Sequence, residues 1–308
     1  MKPADAVAIA ALRTEGRNPA AAELDMLSAL EIARLINAED AKVASAVERA
    51  LPQIAAAIDL IAAALDRGGR LIYVGAGTSG RIAALDASEC PPTFNTDPKT
   101  VQFVIAGGEK ALGAAVEANE DSRELGQRDM RKRRPGKNDV VVGVAASGRT
   151  PYTVAALEFA RQRGARTVAV ACNANSPLGR VADVEIVAEV GPEVVAGSTR
   201  MKAGTAQKMI LNMLSTGAMA RRGRIYGNLM VNVHLKNAKL VERGLAILQQ
   251  AAGVDRASAE RALRASGNQP AVALVMLRTG VSRTQAERRL KSAKGHVRRA
   301  IANSLPKK

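Results

Sequence analysis

The sequence predicts an α/β protein in three stretches: a helical N-terminal segment over 1–66, a mostly parallel sheet covered by helices on both faces over 67–243, and a basic helical C-terminal domain over 244–308. Short apolar runs alternate with helical stretches from residue 70 onward, and that alternation builds parallel sheets through right-handed crossovers. Both ends of the chain instead show helical periodicity without strand-like runs.

In the N-terminal segment, "ELDMLSALEIARLINAED" spaces Leu24, Leu27, Leu30, Ile32, Leu35 and Ile36 near the helical period. "VASAVERALPQIAAAIDLIAAALDRGG" continues that character until Gly68 and Gly69 end it, with Pro52 marking either a break or the first turn of a second helix. "RLIYVGAGTSGR" then reads as strand, glycine turn and helix. "VQFVIAGG" at 101–108 is a second strand, and "NDVVVGVAASGRTPYTVAALEFARQRG" repeats strand, small-residue turn and helix. "ARTVAVACN" and "ADVEIVAEV" supply two more strands before a long buried helix over 198–223. The tail carries an internal repeat, "GVDRASAERALRASGNQPAVAL" from 253 and "GVSRTQAERRLKSAKGHVRRAI" from 280, each reading as two helices about a Gly or Asn turn.

Composition narrows the function. Of 308 residues, 47 % are apolar but only 2 % aromatic, with no Trp, so Ala, Val, Leu and Ile must fill the core by close packing. Cys90 and Cys172 lie far apart with no C-x-x-C pair, which argues against a disulfide framework or a zinc site and for a reduced, cytoplasmic protein. His234 and His296, the only histidines, are 62 residues apart, so no metal-ligand cluster is expected. No signal sequence is evident and no run reaches the length of a membrane span. The net charge is +16, and residues 244–308 hold 13 Lys or Arg against 3 acids. Basic patches attract nucleic acid, but without interleaved aromatics a solvated basic surface is the favoured reading.

Two turns carry the candidate chemistry. "GAGTSGR" (75–81) offers backbone N–H groups and hydroxyls at a helix start, an arrangement that binds anions. It lacks the G-x-G-x-x-G and G-x-x-x-x-G-K-[ST] spacings of nucleotide sites, and on its own serves close helix packing equally well. "AASGRTPYT" (145–153) repeats the design with Ser147, Thr150 and Thr153, each of which could instead cap its own helix. Both turns fall at the carboxyl ends of parallel strands, where open α/β sheets bind ligands. Without a P-loop lysine or a magnesium-binding acid pattern, a phosphomonoester is favoured over a nucleoside triphosphate, and no cofactor is expected.

"DASECPPT" (86–93) raises a separate question, because it places Glu89 where two prolines should stop a helix. A helix C-terminus disfavours negative charge, and an acid held there suits a proton donor. "EANEDS" (117–122) offers Glu120, with Glu117 on the same helical face. On residues alone these assignments stay open, since a helix-end Glu is ordinarily solvated and "EANEDSRE" also reads as a charged helix surface.

"SGRTPYT" resembles the phosphate loop of the sugar isomerase (SIS) domain, a flavodoxin-like three-layer fold that binds phosphosugars. The fuller set "TEGRNP", "AGTSGRIAALDASECPPTF", "EANEDS", "AASGRTPYT" and "GSTRMKAGTAQK" is similar to the N-acetylmuramic acid 6-phosphate etherase family over almost the whole chain, its tail resembling that family's ubiquitin-associated-like appendage. The resemblance implies cleavage of a D-lactyl ether by elimination and hydration in peptidoglycan recycling, with Glu89 as proton donor and Glu120 as the second catalytic carboxylate. It implies substrate contacts from Gly77, Thr78, Ser79, Gly80, Ser147, Gly148, Thr150 and Ser198. Ala145 departs from the wider domain, where many members place a further phosphate-binding serine. A homodimer is also implied, with a small phosphosugar as substrate. The competing reading is a phosphosugar-sensing regulator without catalysis, since the same fold serves proteins that only bind.

Overall fold

The computed structural model describes residues 13–114, 119–235 and 237–302. The chain divides into two compact units, one holding 13–88 and 99–215, the other 89–98 and 216–302.

In the first unit, β1 (Leu71–Gly75), β2 (Val101–Ile105), β3 (Val140–Val144), β4 (Arg166–Ala171) and β5 (Val184–Val187) form one sheet in the order β2-β1-β3-β4-β5. Every pairing is parallel, with Leu71 opposite both Val101 and Val140. The Val-rich runs are buried throughout in β1 and β3 because helices cover both faces, which is why they read as continuous apolar stretches rather than alternating ones. The order of succession reverses beside β1, since the chain steps outward from β1 to β2 and then crosses back to β3 on the other side. The carboxyl ends of β1 and β3 therefore flank the topological switch point of a flavodoxin-like sheet.

Helices α1 (Ala29–Glu48) and α2 (Leu51–Asp66) precede the sheet. Ser28 and Glu31 close a capping box on α1, and Pro52 sits in the first turn of α2, where its missing N–H costs nothing. Helix α3 (Gly77–Phe94) corrects one expectation: Pro91 and Pro92 do not stop it. A proline ring fixes φ near the helical value, so two successive prolines forfeit N–H donors without leaving helical geometry. The helix ends only where Asn95 turns left-handed at φ 52°, its N–H reaching Pro91 O at 2.9 Å. Glu89 thus lies inside α3, beyond the last turn where the dipole acts most strongly, and the helix-end rationale for its chemistry is lost.

After β2 come α4 (Lys110–Gly113) and α5 (Arg123–Arg133). Helix α6 (Pro151–Gln162) follows β3, α7 (Pro177–Arg180) follows β4, and α8 (Lys202–Arg221) follows β5. Asp86 on α3 accepts hydrogen bonds from Tyr73 Oη of β1 (2.8 Å) and from Asn212 Nδ2 (2.7 Å) and Ser215 Oγ (3.0 Å) of α8. Burial pushes the Asp86 carboxyl up, against the lowering effect of those three donors.

In the second unit, α9 (Ala238–Ala252), α10 (Arg256–Ala265), α11 (Pro270–Thr279), α12 (Arg283–Ser292) and α13 (Val297–Ala302) enclose a core that includes Leu248, Leu274, Val275 and Val297. The sequence repeat is visible as two helix pairs: Gly253 and Gly280 end helices in left-handed geometry, and Asp255 and Ser282 cap the helices that follow. No helix among the described residues is long and apolar enough to cross a membrane.

Candidate functional site

A cavity of about 350 Å³ opens at the switch point of the first unit. Among the described residues, the turn after β1 lines it with Ala76, Gly77, Thr78, Ser79 and Arg81, and the turn after β3 with Ala146, Ser147 and Thr150. Glu120, Glu15 and Thr199 complete the lining.

In the first turn, Gly77 adopts φ +51°, a conformation other residues rarely take, and a Cβ on it would come within 3.0 Å of Glu120 Oε1. The Glu120 carboxylate therefore stands directly over this turn. Ser79 is buried and donates its hydroxyl to Gln207 Oε1 on α8 at 3.0 Å. Arg81 donates to Ala111 O (2.9 Å) and Ala114 O (2.7 Å), holding the stretch after β2 against α3. Gly80 does not line the cavity: a Cβ there would lie 2.5 Å from Ile105 Cγ1, so this glycine lets α3 close on the sheet.

The second turn is built differently. Gly148 adopts φ +67°, and a Cβ on it would strike Ser176 Cβ at 2.3 Å, so the backbone can bend here only as glycine. Ser147 Oγ accepts the Arg149 N–H at 3.2 Å, which leaves its own proton free to point elsewhere. Thr150 is the N-cap of α6 yet makes no side-chain capping bond. The residue lines the cavity. Thr153 is fully buried, outside the cavity lining.

Glu120 joins the two turns, its backbone carbonyl accepting the Tyr152 N–H of α6 at 3.0 Å while its carboxylate meets Gly77. Glu89 is exposed on α3 and Ser198 sits beside Thr199, but neither lines the cavity. Glu117 lies outside the described residues.

Glu15 and Thr199 were not singled out from the sequence, although both sit inside the runs "TEGRNP" and "GSTRMKAGTAQK". Their placement depends on long-range contacts. Thr14 is fully buried and its Oγ1 accepts from Asn173 Nδ2 at 3.2 Å, while Asn18 Nδ2 donates to Pro192 O at 3.4 Å, so Glu15 is held between two anchored neighbours. Its Oε2 lies 3.0 Å from where a Cβ on Gly197 would stand. The start of α8 is already neutralised, since the Glu193 carboxylate accepts the N–H groups of Lys202 and Ala203, both at 2.9 Å. Lys202 Nζ in turn pairs with Glu39 Oε2 at 2.6 Å in a fully buried contact. Burial would raise the Glu39 carboxyl, but hydrogen bonds from Lys202, Lys42 and Asn18 prevail and hold it down at about 2. Burial, followed by the Glu193 charge, pushes the Cys172 thiol up to about 12, so it is no nucleophile at neutral pH. No group of three His, Cys, Asp or Glu side chains able to hold a metal occurs among the described residues.

The cavity thus combines hydroxyl-bearing residues from two strand ends with two glutamates and one arginine, a polar lining rather than an apolar one. Comparison with known proteins shows the family. Residues 53–161 match the glucokinase regulatory protein N-terminal SIS domain family, and residues 124–217 match the SIS domain family. The N-acetylmuramic acid 6-phosphate etherase of Edwardsiella ictaluri is 55 % identical over 94 % of this chain and 97 % of its own length. That of Aeromonas hydrophila is 53 % identical over the same shares. Among solved structures, the phosphoheptose isomerase of Neisseria gonorrhoeae overlies 63 % of this chain and all of its own, at 15 % identity and a TM-score of 0.48. With more than half its residues shared over nearly full length, the chain belongs to the N-acetylmuramic acid 6-phosphate etherase family and carries its SIS fold.

Proposed function

We propose that the protein cleaves the D-lactyl ether of N-acetylmuramate 6-phosphate with water, giving N-acetylglucosamine 6-phosphate and D-lactate. The observation that carries this reading is the Glu120 carboxylate standing over Gly77 in a cavity rimmed by the hydroxyls of Ser147 and Thr150. Ser147, Thr150 and the N–H groups of their turn take the phosphate, aided by the start of α6.

An alkyl ether is a poor leaving group, and elimination provides the route around that. Opening of the sugar ring places an aldehyde at C1, which makes the C2 proton acidic. Glu120 removes that proton, the C3–O bond breaks, and a carboxylic acid protonates the departing lactate oxygen. Water then adds at C3 of the resulting enal, and the proton returns to C2. We assign the acid role to Glu89; the family resemblance of "DASEC" supports this, and the cavity lining does not add to it. The two carboxyls divide acid and base work as environments of different polarity allow.

We further propose that the protein works as a homodimer in the cytoplasm. Met26, Leu30, Leu51 and Leu85 are large apolar side chains left 44 % to 80 % exposed, which a second copy would cover. Both cysteines are buried thiols, compatible with a reducing compartment. Size-exclusion chromatography with light scattering tests the dimer, and a monomer at micromolar concentration refutes it.

The test of function is incubation with N-acetylmuramate 6-phosphate in ¹⁸O-labelled water. Lactate release with the label at C3 of the sugar is expected. Phosphosugar binding without lactate would instead identify a sensor.

A further inference from the structure

Gln207 lies on α8 with 1 % of its surface exposed, and its Oε1 accepts the Ser79 hydroxyl at 3.0 Å. Its Nε2 is buried and meets no hydrogen-bond acceptor among the described residues. A desolvated amide N–H without an acceptor is costly, and folded interiors rarely keep one. Ser79 has a single proton. While that proton goes to Gln207, Ser79 presents only lone pairs to the cavity, the wrong polarity for a substrate oxygen that needs a donor.

A half-turn of the carboxamide exchanges its oxygen and nitrogen. Nε2 then donates to Ser79 Oγ, and the Ser79 proton is released toward the cavity. Ser79 occupies the first turn of α3, where the helix dipole favours an anionic or electron-rich oxygen. One rotation therefore gives Nε2 an acceptor in Ser79 Oγ and turns the Ser79 proton toward the cavity, while Oε1 takes the place that Nε2 held.

We propose that Gln207 is a positioning residue for phosphosugar binding, its carboxamide setting the direction of the Ser79 proton by donating to Ser79 Oγ when a substrate oxygen occupies the cavity. The inference rests on the reading of this cavity as a phosphosugar site. Gln207 itself touches no substrate; it acts through Ser79 alone, and that coupling is what an experiment can read.

The test is calorimetric titration of the full chain with N-acetylglucosamine 6-phosphate, using wild type, Ser79→Ala, Gln207→Glu, Gln207→Met and the double variant Ser79→Ala/Gln207→Met, with thermal melts alongside. Gln207→Glu keeps an acceptor and loses the donor; Gln207→Met keeps the volume and loses both. Each single variant is expected to bind roughly tenfold or more weakly than wild type, the worth of one good hydrogen bond. The double variant is expected to bind no more weakly than Ser79→Ala, a coupling that a merely structural role would not produce. Wild-type affinity in the Gln207 variants, or full additivity in the double variant, overturns the proposal. Should the buried charge of Gln207→Glu unfold the protein, the methionine cycle decides alone. A wild type that fails to bind the phosphosugar refutes the site reading before any substitution is compared, and takes this inference with it.

Discussion

The turn after β1 and the turn after β3 have the same ingredients, glycines and hydroxyls between a parallel strand and a helix, yet they are wired in opposite senses. The first directs Ser79 inward to a buried glutamine on α8, and its helix starts at Gly77 itself. The second delays its helix until Pro151 and leaves the Ser147 and Thr150 hydroxyls uncommitted as donors. A phosphate needs donors that are already aimed and unspent, so under the proposed function the second turn serves as the anion cradle. The first has its serine hydroxyl spent on the core behind it. Glu120 is tied to both, by its backbone to α6 and by its carboxylate to Gly77.

That bridging position makes Glu120→Gln the harshest test. Loss of the base should lower kcat by roughly 10²–10⁴-fold while binding of N-acetylglucosamine 6-phosphate persists. Turnover close to wild type would remove the carboxylate from the reaction and leave the two turns as a binding site only.

The next largest effect concerns the core behind the first turn. Lys202→Met removes the buried partner of the Glu39 carboxylate, leaving it Lys42 and Asn18, and should cost about 3 kcal/mol in chemical denaturation. The same pair predicts a pH dependence. Because the folded Glu39 carboxyl is held at about 2, below its ordinary value of 4.5, its stabilisation is fully present above about 4.5 and is lost as pH falls toward about 2. Urea titrations at pH 7 and pH 3 should show a smaller acid-induced loss in Glu39→Gln than in wild type. Equal losses would mean other carboxylates dominate.

The glycines sharpen the contrast between the turns. At Gly148 both the positive φ and the Ser176 backbone-proximal Cβ at 2.3 Å oppose a side chain, and Gly148→Ala should cost about 2 kcal/mol or more of stability. At Gly77 the nearest obstacle is the movable end of Glu120, so Gly77→Ala should cost about 1 kcal/mol and harm turnover more than folding. The reverse ranking in paired melts and assays would contradict the wiring described above. The mildest change is Ser147→Ala, which should weaken phosphosugar binding roughly tenfold with the melting temperature unchanged.

Much of this architecture was legible from local pattern. Val-rich runs such as "VVVGV" announce strands buried on both faces, and the repeated Gly, Asp or Ser, and Ala-Glu-Arg positions of the tail announce two capped helix pairs. The helix at "DASECPPT" departs from its local pattern: proline is a helix breaker on average, whereas two consecutive prolines here lie within α3, which runs on to Phe94. The site was legible as two turns but not as an inventory of side chains. Gly80 and Thr199 show the difference. The first serves close contact with Ile105, and the second lines the cavity beside Ser198, which does not.

The sequence by itself determined the strands, the two glycine-hydroxyl turns and the family, because these reside in contiguous residues whose φ preferences and apolar periodicity act locally. Only the tertiary structure decided which groups meet. Glu15 reaches the cavity through anchors at Asn173 and Pro192, and Ser79 finds Gln207 across 128 positions. Such contacts are set by how helices and strands close on one another, and no local preference of the chain encodes a hydrogen bond to a residue that distant.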